Sequence, residues 1–313
     1  MGRLTAMDQA RAPLDADLEA YIERSASFYP DDATDLSIAE QRRVYDRLCE
    51  AFRVSRPTGV AVRDLTAGGV PCRLYEAGAP FVTVIYFHGG GFVLGGLDSH
   101  DDICAEIAAI TGYRVLSVDY RLAPEHVHPA PFEDGFAVLR WALERFDGPL
   151  VLAGDSAGGN IAAALAHANR DKRQRIVGQL LIYPGLGGDA DQGSYLENAD
   201  APGLTRADIA YYMKIRCAGA VPKDDPTFAP LSDPDFSRLP PTVIFTADCD
   251  PIRDDGQHYA ARITAAGGRA HWINEPGLIH GYLRARHSVT RAGASFERIL
   301  DALQCLGEEA WPF

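Results

Sequence analysis

No run of about 18 apolar residues occurs in the 313-residue chain, so no membrane-spanning helix is expected. The N-terminal segment MGRLTAMDQARAPLDADLEAYIERS lacks the apolar core of a secretory signal, and a soluble cytoplasmic protein is the expectation. Blocks of five or more Lys/Arg are absent, formal net charge is −13, and the pI is near 5.1. That balance repels phosphate backbones and anionic lipid, so nucleic acid and membrane insertion are not expected. The six cysteines, Cys49, Cys72, Cys104, Cys217, Cys249 and Cys305, form no C-x-x-C pair and no metal-ligand spacing, and read as reduced thiols. Internal repeats and low-complexity tracts are also missing. What remains is 47% hydrophobic and 23% charged residues, a composition able to bury a core without disulfides or metals.

Short apolar runs rich in β-branched and aromatic residues alternate with segments of helical period. The runs are 81–87, 113–118, 150–153, 179–183, 242–247 and 270–274; helices are expected after Ser99, over 132–146 and 157–169, from about Arg253 to Ala266, and over 289–306. Strands buried on both faces and joined by helices predict an α/β fold with a mainly parallel sheet. Before them, 60–66 and 70–76 flank Gly68-Gly69 and predict an antiparallel hairpin, which brings the sheet to eight strands. Two segments escape the alternation. Residues 1–50 read as amphipathic helices, and 187–222 contains Thr205-Arg206-Ala207-Asp208, which resembles a capping box. Together they predict a helical cap over a core of residues 51–186 and 223–313. The Pro-rich stretch 222–241 is expected to be an ordered loop.

Gly154-Asp155-Ser156-Ala157-Gly158 follows the strand-like PLVLA and precedes the helix-like NIAAALAHANR. This is the strand–turn–helix context of a G-x-S-x-G nucleophile elbow, with Ser156 exposed above the sheet. Upstream, His88-Gly89-Gly90-Gly91 ends another strand-like run, where backbone N–H groups can meet a developing oxyanion. Gly90 and Gly91 are the expected donors, with the amide of Ala157 as the third. A phosphate loop would need G-K-[ST] after the glycines, whereas Phe92-Val93-Leu94 follows.

In this arrangement the acid and then the histidine follow the serine along the chain. Of His258, His271, His280 and His287, only His280 lies in a glycine-flanked loop after the last apolar run. The acid comes from Asp248, Asp250, Asp254 or Asp255. Asp250 is preferred, because it precedes Pro251 in a loop, whereas Asp254 and Asp255 fall in a first helical turn where acids are expected for dipole reasons. The chemistry this predicts is acyl transfer, with Ser156 as nucleophile, His280 as base and Asp250 orienting it.

HGGGF (88–92), YRLAPEH (120–126), GDSAGG (154–159), DPIRD (250–254) and HGY (280–282), in this order, resemble the hormone-sensitive-lipase-like family of bacterial carboxylesterases over residues 60–310. The resemblance implies an α/β-hydrolase core, a cap built from the N-terminus and from an insertion after the sixth strand, and hydrolysis of small-molecule esters without metal or organic cofactor. It suggests a homodimer through the C-terminal edge of the sheet, and bracing of the site loops by Asp119, Tyr120, Arg121, Glu125 and Asp134. The chain departs from the family after YRLAPEH, where Val127-His128-Pro129-Ala130-Pro131 stands; His126 and His128 lack a third metal ligand. Phe92, Asp155 and Tyr211 are candidate substrate contacts. Phe28, Tyr29, Leu204 and Tyr212 are bulky cap residues that suggest short to medium acyl chains. A ligand receptor on the same fold is the alternative of a different class, but such relatives have lost the histidine that His280 supplies here. Amide or lactone hydrolysis and acyl transfer to an alcohol would use the same residues.

Overall fold

The computed structural model describes residues 15–30, 36–170 and 175–313. β1 (Val60–Ala67) and β2 (Val70–Ala77) form an antiparallel hairpin around Gly68-Gly69, both at positive φ. A Cβ on Gly68 would lie 2.5 Å from the Ala137 carbonyl oxygen, so this tight turn against a neighbouring helix needs glycine. β2 pairs antiparallel with β4 (Arg114–Val118). From there β3 (Thr83–Phe87), β5 (Leu150–Asp155), β6 (Ile176–Ile182), β7 (Thr242–Cys249) and β8 (Ala270–Ile279) complete the parallel part. The order across the sheet is β1-β2-β4-β3-β5-β6-β7-β8. The mainly parallel eight-stranded sheet expected from the alternation is present.

Side chains of a strand point alternately to opposite faces, and the core divides accordingly. In β3, Val84 and Tyr86 join one apolar cluster while Ile85 and Phe87 join the other. The first face is covered by α3 (Asp101–Thr111) and α9 (Thr290–Gly307), the second by α4 (Ala130–Arg145), α5 (Ala157–Asn169) and α8 (Arg253–Ala265). α5 is alanine-rich and almost wholly buried, which lets it lie close to the strands.

The segments outside the alternation supply α1 (Ala16–Ala26), α2 (Ile38–Phe52), the short α6 (Ser194–Glu197) and α7 (Arg206–Cys217). Capping boxes open α2 at Ser37/Glu40 and α7 at Thr205/Asp208. These helices meet: Gln41 Nε2 donates to the Tyr211 hydroxyl at 2.7 Å. Arg42 ties α2 to the strand-end loops through the Val93 and Ala123 carbonyls, each at 2.9 Å, and through Glu125 at 2.7 Å.

Some boundaries differ from expectation. Phe81 is 67% exposed and precedes β3, which begins at Thr83. β8 runs past Asn274 to Ile279, because Pro276 falls where the β7–β8 register shifts: Ala247 pairs Glu275 and Cys249 pairs Ile279, so residues 276–278 of this edge strand have no ladder partner. The stretch 222–241 is an ordered loop, as expected; it has one 3-10 turn at Pro230–Ser232 and buries Phe228, Phe236 and Leu239. All six cysteines are unbridged. Among the described residues, no helix is long and apolar enough to cross a membrane.

A buried ion triad fixes the turn after β8 to α3. Arg286 donates to Asp102 at 2.6 Å and to Glu106 at 2.8 Å, and the three side chains are 1%, 4% and 8% exposed. Removing the cation leaves two interior carboxylates with only the Val54 N–H at Asp102 and the His287 ring at Glu106, so Arg286→Met should lower unfolding free energy by roughly 3 kcal/mol. Urea denaturation checks this, and a loss below about 1 kcal/mol would mean that the carboxylates find compensation elsewhere.

Candidate active site

Ser156 sits between β5 and α5 at φ 52°, ψ −117°, a region that L-residues other than glycine rarely adopt. The turn is tight because it passes over the end of β3. A Cβ on Gly158 would lie 1.9 Å from the Phe87 carbonyl oxygen, and one on Gly154 would lie 2.5 Å from the Gly158 backbone. Only glycine fits at either position.

The Ser156 Oγ lies 2.9 Å from His280 Nε2, and His280 Nδ1 lies 2.7 Å from Asp250 Oδ2. The three expected residues, far apart in sequence, therefore form one hydrogen-bonded line. His280 follows the last residue of β8, and Asp250 follows the last residue of β7. Asp250 is fully buried; its Oδ1 accepts the Ile252 N–H at 3.0 Å, and the Asn198 amide holds its backbone carbonyl, also at 3.0 Å. The carboxylate therefore cannot swing away from the imidazole. The alternatives lie elsewhere: Asp248 accepts from Asn274 and Gly277, Asp254 from the Ser194 N–H, and Asp255 from the N–H groups of Leu186, Gly187 and Gly188.

Gly90 and Gly91 have φ of 128° and 61°, and their N–H groups donate to no protein acceptor among the described residues. The Ala157 N–H, in the first position of α5, is likewise free of an intrahelical acceptor. Side-chain contacts hold the glycine loop in place. Asp155 Oδ1 accepts from the Gly89 N–H at 3.0 Å and from the Tyr86 hydroxyl at 2.9 Å, while His100 Nε2 lies 3.3 Å from Oδ2. Burial alone would raise the Asp155 carboxyl, but His100 and the Tyr86 hydroxyl outweigh it and bring it down to about 2. Tyr120 donates to the His88 carbonyl at 2.7 Å, and its ring stacks on the imidazole at 4.3 Å.

Above the serine lies a cavity of about 600 Å³. Tyr29, Leu204, Tyr211 and Tyr212 line it, as the bulky-cap reading expected; Phe28 and Phe92 do not. Phe92, expected at the substrate, is instead 7% exposed with the Arg216 guanidinium 3.6 Å above its ring. Asp155 borders the cavity, but its oxygens are already taken by the glycine loop, Tyr86 and His100. Of the expected bracing residues, Arg121 pairs with Asp134 at 2.7 Å, Glu125 holds Arg42, and Tyr120 holds the His88 carbonyl. His128 faces Asp225 at 3.0 Å. Among the described residues, no group of three His, Cys, Asp or Glu is arranged to hold a metal.

Sequence reasoning passed over His100, Asn198, Tyr183 and Arg284. Tyr183 has φ 34° and packs its ring 4.9 Å from the His280 imidazole. None of the four carries a local signature, because each acts across a long stretch of chain.

A serine at a strained strand-to-helix turn, lined up with a histidine and a buried aspartate at the C-terminal ends of parallel strands, defines an α/β-hydrolase site. A model of the alpha/beta hydrolase fold family matches residues 84–284. Carboxylesterase NlhH of Mycobacterium tuberculosis is 44% identical over 231 residues, 71% of this chain and 72% of that protein. Esterase LipI of the same organism is 41% identical over 257 residues, 77% and 79% of the two chains. A hyperthermophilic esterase from the archaeon Pyrobaculum calidifontis superimposes with a TM-score of 0.87 at 30% identity, covering 94% of this chain and 99% of that one. The chain belongs to the hormone-sensitive-lipase-like family of bacterial carboxylesterases, within the α/β-hydrolase superfamily.

The histidine behind the glycine loop gives the fold a pH dependence. Burial, aided by His100, pushes the His88 imidazole down to about 4, so it is neutral at pH 7; Nδ1, 2.8 Å from the Gly89 carbonyl, then carries the proton. The unfolded chain binds that proton near the ordinary value of 6.5. Stability is therefore full above about pH 6.5 and falls towards pH 4, by up to roughly 3 kcal/mol from this group. His167, also pushed to about 4 by burial, adds a parallel slope. Urea unfolding between pH 7 and 4.5 should show a shallower loss in His88→Asn than in the wild type. Equal slopes would mean that His88 takes its proton as readily folded as unfolded.

Proposed function

We propose that the protein is a serine carboxylic-ester hydrolase acting on short- to medium-chain acyl esters through an acyl-enzyme. The observation that carries this reading is the line Asp250–His280–Ser156, at 2.7 and 2.9 Å, opening into the cavity. Ser156 Oγ attacks the ester carbonyl while His280 Nε2 takes its proton, and Asp250 holds the ring with Nδ1–H towards itself and stabilises the imidazolium. The tetrahedral oxyanion meets the N–H groups of Gly90, Gly91 and Ala157, which have no other acceptor among the described residues and need no reorganisation. His280 then protonates the leaving alcohol. Water attacks the acyl-enzyme with His280 as base again, and Ser156 is regenerated. The sequence of steps calls on no metal or organic cofactor.

In this reading α1, α2 and α7 act as a cap on the catalytic core of residues 51–186 and 223–313. Their tyrosines bound a cavity in the range of small-ligand sites, which supports short and medium acyl groups over long ones. Tyr211 faces substrate, whereas Asp155 works behind the site by fixing the Gly89 amide.

The test is hydrolysis of p-nitrophenyl acetate, butyrate, octanoate and palmitate, with chelator present. The wild type should turn over the shorter esters best, and Ser156→Ala should lose at least about 10³-fold in kcat. Equal activity in Ser156→Ala would sink the mechanism; a preference for palmitate would sink the chain-length reading. A folded wild type inert on all four esters would favour ligand binding without turnover.

A further inference from the structure

Arg284 lies in the 3-10 turn Tyr282–Ala285, just after His280, and its side chain lines the same cavity as Ser156 and His280. It is the one Lys or Arg among the described residues that line this cavity. Nη1 donates to the Ser99 carbonyl at 3.1 Å and Nη2 to the Tyr45 hydroxyl at 3.3 Å. Both acceptors are neutral, and a guanidinium carries five N–H bonds. No carboxylate pairs with Arg284 among the described residues, whereas Arg286, two positions on, takes both Asp102 and Glu106. The two carboxylates that border the cavity are committed elsewhere. Asp155 holds Tyr86, Gly89 and His100, and Asp208 accepts the Thr205 N–H at 2.9 Å and the Thr205 hydroxyl at 2.6 Å.

Arg284 is half-buried, and a guanidinium partly withdrawn from bulk water without a counter-ion carries a cost that an incoming anion removes while making charge-assisted, two-pronged hydrogen bonds. We propose that Arg284 is a specificity-determining residue that binds the carboxylate of an ester carrying a second, ionised acid group, such as the half-ester of a dicarboxylic acid. This inference rests on the esterase reading above. Hydrolysis of such a half-ester breaks the acyl C–O bond and forms a new one to the oxygen of water. One proton of that water leaves with the alcohol, and the other is released as the new acid ionises to the dicarboxylate. The cation is placed to hold the spectator carboxylate while Ser156 attacks the ester carbonyl, so the binding energy bears on choice between substrates.

The experiment compares kcat/KM, by pH-stat, for anionic esters and neutral isosteres. Monoethyl succinate is set against ethyl levulinate for a carboxylate on the acyl side, and O-acetylglycolate against acetonyl acetate for one on the alcohol side. In at least one pair, the anionic-to-neutral ratio should fall tenfold or more in Arg284→Met and recover in part in Arg284→Lys. Using the ratio cancels any loss that both substrates share through a disturbed pocket. Ratios unchanged by Arg284→Met in both pairs overturn the proposal. A wild type that hydrolyses no ester at all overturns the esterase reading instead, and calorimetry then decides the site. Monoethyl succinate should bind Ser156→Ala at least tenfold more tightly than Ser156→Ala/Arg284→Met, and equal affinities overturn the anion site.

Discussion

The close passage of the β5–α5 turn over the end of β3 is the constraint on which the rest of the site depends. With the Phe87 carbonyl oxygen within 1.9 Å of where a Gly158 Cβ would stand, the turn has no slack, and Ser156 is held in a conformation that costs of order 1–3 kcal/mol. The packing of α5 against the sheet sustains that strain. It also places the Ala157 amide, at the start of the helix, beside the loop that leaves β3. Asp155 links the two: it ends β5 next to the serine and accepts the Gly89 amide across the gap. Nucleophile and glycine loop are thus positioned by one backbone contact and one buried carboxylate, and neither can shift without the other.

The insertion is coupled to the same unit by Arg216, which is 4% exposed and makes no ion pair among the described residues. Its guanidinium lies between the rings of Phe92 and Phe228, at 3.6 and 4.0 Å, and donates to Asn160 of α5. Burial pushes this cation down to about 9. Phe92 directly follows Gly90-Gly91, so the end of α7, the glycine loop and the nucleophile helix share one cluster. Arg42 does the same for α2 through the Val93 carbonyl. α2 and α7 are therefore fastened to the loops that surround the serine, whereas α1 is tied to the start of α9 through Asp15 and Asp17.

Period and punctuation made the strands, the principal helices and the hairpin legible, since burial on two faces forces continuous apolar runs and tight turns force glycine. α5 has the limits the sequence predicts, because the elbow defines its start. The Ser156, His280 and Asp250 constellation was legible for a related reason: a fixed chain order and a loop position after each strand leave few candidates. What was not legible depends on which surfaces meet. Phe92 lies in a motif beside the site and reads as a substrate contact, yet Arg216, over a hundred residues away, claims its ring. His100 and Asn198 have no periodic or motif signature, and their roles exist only once the sheet brings the ends of β3, β5, β6 and β7 together. The last apolar run ends at 274 in the sequence, and the continuation of β8 to Ile279 exists only through the register shift that leaves Pro276 outside the ladder.

A common device runs through the loops at the strand ends. Their backbone N–H groups have left the sheet ladder and must find acceptors, and aspartates supply them, buried ones in every case but Asp248. Asp155 takes the Gly89 amide, Asp134 that of Arg121, Asp250 that of Ile252, Asp248 that of Gly277, and Asp255 those of Leu186, Gly187 and Gly188. Their electrostatic settings differ. Asp155 has an imidazole beside it and sits at about 2, whereas burial, with no cation in contact among the described residues, pushes Asp255 up to about 7 despite its amide donors. The donors to Asp255 begin the segment that leads into α6 and α7, so the insertion leaves the core from a clamp weaker in charge than the one holding the glycine loop. Any residue type can offer a backbone N–H, so a clamp of this kind marks only its acid in the sequence. That is why an aspartate-rich run such as Asp248 to Asp255 reads as a choice among catalytic candidates, when its members divide the work of holding three loops around one imidazole.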